Sequence, residues 1–111
     1  MAYDEDLAHR IRALLAEEDG LSEMAMFGGL AFLLHGNISV GISSGGELMV
    51  RVGVDAMEKA LARPHTRIFD LGRRPMNGWI LVAAEGLKTS RQLSAWVRRG
   101  VEFARTLSPK G

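Results

Sequence analysis

The chain has 111 residues, 47% of them hydrophobic and 24% charged, an ordinary globular mixture, and it contains no cysteine. Disulfides, thiolate zinc sites and cysteine nucleophiles are therefore excluded. Net charge is +1 but lopsided: residues 1–60 hold ten acids and four bases (−6), residues 61–111 three acids and ten bases (+7), a polarity suited to an acidic partner or to self-association.

The acidic start, Met1 to Asp6, lacks the basic and apolar regions of a signal peptide. No apolar run approaches the ~18 residues that span a bilayer. The expectation is a cytoplasmic protein forming one domain over residues 1–111.

In chain order, Asp4 predicts an N-cap, with Glu5 and Asp6 at the positive end of the helix dipole. Leu7, Ile11, Leu14 and Leu15 then form one helical stripe. Gly20 reads as a left-handed C-terminal cap. Leu21 to Leu34 reads as a first strand region, with Gly28 and Gly29 marking a bulge or close backbone approach within it. Gly36-Asn37 supplies a turn. Ile38, Val40 and Ile42 alternate with small residues, as on the buried face of a second strand, and Ser44-Gly45-Gly46 turns the chain again. Leu48, Val50 and Val52 define a third strand ended by Gly53.

Asp55 caps a short helix carrying Met57, Ala60 and Leu61, which Pro64 stops. Thr66 to Leu71 reads as a fourth strand, with Ile68 and Phe69 on opposite faces. Residues 72–78 read as a loop, and Trp79 to Ala83 as a fifth strand. Thr89 and Gln92 form a capping box for a last helix, whose buried stripe is Leu93, Trp96, Val97, Val101 and Ala104. The order is helix, three strands, helix, two strands, helix. It predicts a two-layer α+β fold with a five-stranded antiparallel sheet.

Little in the chain reads as chemistry. Gly41-Ile42-Ser43-Ser44-Gly45 fits the pattern of a nucleophile elbow, but that elbow needs a strand entering a helix, and here a second strand follows. His9, His35 and His65 lack the spacing of metal ligands. No phosphate-binding glycine loop is present. Neither a metal nor a cofactor is expected.

The arginines are more informative. Arg91, Arg98 and Arg105 recur every seven residues on the last helix. They make a row about 21 Å long at 1.5 Å per residue that could follow a phosphate backbone. No aromatic residue interleaves with them, which argues against a platform for single strands. Arg51 on a strand and Arg73-Arg74 in a loop are the other candidate contacts. Met24, Met26, Met49, Met57 and Met76 either fill gaps in the core or line a pliable protein-binding surface. Trp79 and Trp96 read as packing residues.

Three stretches carry a family resemblance: Met26-Phe27-Gly28-Gly29-Leu30-Ala31-Phe32, Leu48-Met49-Val50-Arg51-Val52-Gly53 and Arg74-Pro75-Met76-Asn77-Gly78-Trp79. Together and in this order they resemble the TfoX/Sxy family, specifically its N-terminal domain, from about Met1 to Ser108. The resemblance implies a secretion-chaperone-like α+β fold. Full-length members are bacterial regulators of natural competence, thought to act with the cyclic-AMP receptor protein at promoters, and they carry a second, C-terminal domain that these 111 residues do not include. The family offers no established catalytic residues.

The expectation is thus a small bacterial regulatory or protein-binding module, not an enzyme. Gly28, Gly29, Arg51, Arg73, Arg74, Met76 and Trp79 are its candidate partner surface. Weak nucleic-acid binding through Arg91, Arg98 and Arg105 is the alternative, and a small-ligand or enzymatic role the third.

Overall fold

The structure, a computed structural model, describes residues 3–26, 28–71 and 74–109. The chain runs α1 (Glu5–Leu15), β1 (Leu21–Met26), β2 (Gly29–Leu34), β3 (Asn37–Ile42), β4 (Leu48–Arg51), α2 (Met57–Leu61), β5 (Thr66–Leu71), β6 (Arg74–Val82) and α3 (Ser90–Arg105). All neighbouring strands are antiparallel, in the order β1-β2-β3-β4-β6-β5. The fold is α+β with the expected order of helices and strand groups, but the sheet has six strands, not five.

The extra strand comes from the region 21–34, which is not one long strand. Met26 pairs directly with Gly29, so the chain reverses across two residues and Gly28 takes a φ of 76° in the turn. A second two-residue reversal uses His35 (φ 51°) and Gly36 (φ 83°). Asn37, expected in that turn, instead opens β3 and donates from Nδ2 to the Ser108 carbonyl at 2.9 Å. The segment expected as a loop over 72–78 is largely β6. Pro75 is tolerated there because β4 pairs only with Trp79 to Val82, so no β4 partner awaits the missing N–H.

Helix ends follow local chemistry. Leu7 N–H donates to Asp4 Oδ1 at 3.1 Å, and the reciprocal Thr89–Gln92 capping box starts α3. Two expectations fail in detail. Helix α1 stops at Leu15, and Gly20 (φ 73°) belongs to the turn into β1. Asp55 makes no capping bond and lies in a short 3-10 turn before α2.

The main core lies between the sheet and the helices. Leu7, Ile11 and Leu15 of α1 meet Leu93, Trp96, Val97 and Val101 of α3 over Phe32, Val40, Ile42, Val50, Ile80 and Val82. Leu14, placed in the stripe by its spacing, is 41% exposed. Gly100 lets α3 descend onto β3, since a Cβ there would sit 2.4 Å from the Ser39 carbonyl oxygen. That point is a bulge: Phe32 pairs with Val40 and Leu33 with Ile38, leaving Ser39 extra. Ser39 Oγ donates to the Phe32 carbonyl at 3.0 Å. The added residue turns Ile38 to the face opposite Val40 and Ile42, so the three do not share a face.

Outside the core, Arg12 grips Glu23 of β1 through two hydrogen bonds of 2.8 Å. These bonds hold the Glu23 carboxyl below its usual range. A carboxyl depressed by folding stabilises the folded state above its unfolded pKa, and the effect fades as pH falls through its folded pKa. Glu23→Gln should therefore lower the urea midpoint slightly at neutral pH. Its deficit against the wild type should close under acid conditions.

Candidate docking face

The sheet has a second face, and its period-2 alternation decides what lies there. One row crosses all six strands by direct register pairs: Met24, Ala31, Gly41, Met49, Leu81 and Arg67. The row is apolar until its last member. Met49 is 1% and Leu81 5% exposed, and the Met49 methyl lies over Gly41, where a Cβ would meet it at 2.6 Å.

Beside them Phe69 meets Trp79 edge-on, ring centroids 6.1 Å apart at 64°. Met49, Phe69, Trp79 and Leu81 form a small core of their own, with Ile38 and Met76 packed on it half-buried, and every one of these residues belongs to a strand. No helix residue is among them. Toward β1 the apolar side chains of this face are open to solvent: Met24 is 44% exposed, and Met26 and Leu33 are partly so.

Arg51 stands at the rim. It pairs in register with Trp79, and its guanidinium carbon lies 5.7 Å from the Trp79 ring centroid and 5.5 Å from that of Phe103 on α3. Two aromatic faces thus seat this cation. Among the described residues, no carboxylate comes within ion-pair reach of it. Arg99 is seated similarly, 4.9 Å from the Trp96 centroid.

Around Arg51 the backbone explains the residue string from Leu48 to Gly53 and the one ending at Trp79. The Gly78 carbonyl accepts from Val52 N–H (2.8 Å) and Gly53 N–H (3.0 Å), and its own N–H donates to Met57 Sδ at 2.9 Å. Gly53 (φ 86°) faces the Phe103 ring, where a Cβ would come within 2.5 Å. Only glycine combines that φ with that contact.

Of the expected surface residues, Arg51, Met76 and Trp79 converge on this region of the sheet. Gly28 and Gly29 do not. They lie beside Ser44 and Ile42, at the end of the strands remote from the Arg51–Trp79 pair. Arg74 is placed by its backbone at the start of β6, paired with Leu71. Arg73 and Phe27 lie outside the described residues.

The row on α3 is interrupted. Arg91, Arg98 and Arg105 are exposed, but Arg105 is ion-paired to Glu18, and Glu102 lines the same groove as Arg98 and Arg105. Mixed charge of this kind weakens attraction to phosphate. Ser43 and Ser44 sit in the β3–β4 hairpin loop, where Ser43 Oγ accepts from Glu47 N–H at 3.1 Å. All three histidines are exposed. Among the described residues, no group of three metal-ligating side chains is close enough to hold an ion, and no helix is long and apolar enough to cross a membrane.

Sequence reasoning missed Leu33, Ile38, Phe69 and Leu81 as members of this face, and Phe103 as the second ring on Arg51. A signal existed in β2. Gly-Leu-Ala-Phe-Leu-Leu is apolar at every position, as in a strand covered on both sides, whereas a strand with one wet face alternates.

Among protein families, the one described as the TfoX N-terminal domain matches residues 13–104. No curated protein and no solved structure matches the chain.

Proposed function

The chain belongs to the TfoX N-terminal domain family, and on that premise we propose that it is a small regulatory module, a binder and not an enzyme, that works by docking a protein on the helix-free face of its sheet. The carrying observation is that face itself. Half-exposed Ile38 and Met76 pack on the buried cluster of Met49, Phe69, Trp79 and Leu81. Half-exposed Leu33 and the more exposed Met24 extend the same face across β2 and β1. An apolar surface with a polar or charged rim is the ordinary form of a protein-binding site. Methionines let such a surface adapt to its partner. Arg51, held between two rings with no carboxylate among the described residues in ion-pair reach, offers a pre-oriented cation to an acidic group on that partner.

Ile38→Asp is the direct test. The side chain is half-buried on the open face, so the fold should survive while a charge enters the centre of the interface. A partner captured from lysate by the wild type and then purified should bind this variant at least about tenfold more weakly. Arg91→Gln, at an exposed position of α3, should bind as the wild type does. Equal affinity of Ile38→Asp and wild type would remove this face from the mechanism.

A further inference from the structure

The two edges of the sheet are built differently. β5 carries Arg67 and Asp70 and breaks register between Ile68 and Asp70, and charges and bulges are devices that keep an edge from pairing. β1 has neither proline nor lysine, and it keeps unbroken register with β2 over all six residues. Its side chains from Ser22 to Ala25 are exposed. Its one charge, Glu23, is already held by Arg12.

The hydrogen-bonding direction along β1 follows from the hairpin. A two-residue loop closes on a hydrogen-bonded pair, here Met26–Gly29, so alternate residues bond to β2. The bond from His35 N–H to the Gly20 carbonyl, 2.9 Å, has the same parity. The N–H and C=O groups of Leu21, Glu23 and Ala25 therefore point out from the free edge.

We propose that β1 pairs antiparallel with β1 of a second copy, about a two-fold axis through Met24, to make one continuous twelve-stranded sheet. In this register Glu23 and Ala25 exchange backbone hydrogen bonds across the axis. Met24 then meets Met24 of the other copy as a non-hydrogen-bonded pair, where side chains come closest. Its exposed apolar surface is buried against itself. Shifting the register by two residues in one direction would set Glu23 against Glu23, a like-charge opposition that destabilises strand pairing. In the other it would set Ala25 against Ala25 and Met24 against Met26, so only the central register places the two Met24 side chains opposite each other. The pairing rests on the docking reading only in that it joins two helix-free faces into one surface.

The absence of cysteine makes the register directly measurable. Met24→Cys should form a disulfide-linked dimer almost completely under mild oxidation, because cysteines in such a pair lie within bridging reach. Ser22→Cys should not, since Ser22 faces Met26 of the other copy and its own counterpart is four positions away. Light scattering should give the wild type twice the chain mass. Ala25→Pro, which removes an outward N–H and no bond to β2, should give the single mass with its circular dichroism unchanged. A wild type at single mass at every concentration, no link at Met24→Cys, or equal linking at Ser22→Cys would each overturn the pairing. A single-mass protein whose partner binding still falls with Ile38→Asp would overturn the pairing alone and leave the docking face standing.

Discussion

Gly29→Ala is expected to destabilise the protein by on the order of 3 kcal/mol, at the upper end for overpacking, while Gly28→Ala beside it should lose only about 1 kcal/mol. The two glycines do different work. At Gly29 a Cβ would lie 1.9 Å from the Ile42 carbonyl oxygen and 3.2 Å from Ser43 Cα. Both neighbours are backbone, held in the β2–β3 ladder, so relief requires prising the strands apart at the Leu30–Ile42 pair. At Gly28 a Cβ would find Ser44 Cβ at 3.4 Å, an ordinary contact, and only the left-handed φ of 76° is penalised. Urea unfolding of both variants checks this, with a lower midpoint at unchanged slope expected for each. Equal losses would mean that the pair serves the turn alone.

Trp79→Ala should cost about 3 to 4 kcal/mol, the range for a large aromatic removed from a packed site. Trp79 is 9% exposed, meets Phe69 edge-on and supplies one of the two rings that seat Arg51. Its loss opens the small second core and leaves Arg51 against Phe103 alone. Trp79→Phe should restore most of the stability, because a ring returns to the slot beside Phe69. The readout is again the urea midpoint, with partner affinity measured on the fraction that folds. A loss below about 1 kcal/mol for the alanine variant would show that the second face is not packed as described.

Locally encoded features of the fold were the legible ones. The Asp4 cap and the Thr89–Gln92 box are decided within four residues, and both helices begin where those residues dictate. The reversal at Gly28 was hidden because apolar residues flank it on both sides and no polar turn residue announces it. Length was the overlooked clue, since fourteen residues exceed the usual run of a strand. The switch of Ile38 to the opposite face could not be read at all. Ser39 looks like any outward residue of an alternating strand, and only its bond to the Phe32 carbonyl makes it a bulge. Period-2 spacing shows which residues share a face, but not which face the helices take. Arg51, Met76 and Trp79 were singled out by the family motifs they belong to, Met76 within a stretch read as a loop, whereas Leu33, Ile38 and Phe69 needed the sheet assembled.

Mild methionine oxidation, read by mass spectrometry on the protein alone and in its partner complex, tests the docking face most directly. Alone, half-buried Met76 should oxidise readily and fully buried Met49 hardly at all. In the complex, Met76 should slow severalfold while Met49 stays protected. A complex that forms and leaves the Met76 rate unchanged would place the partner elsewhere on the molecule.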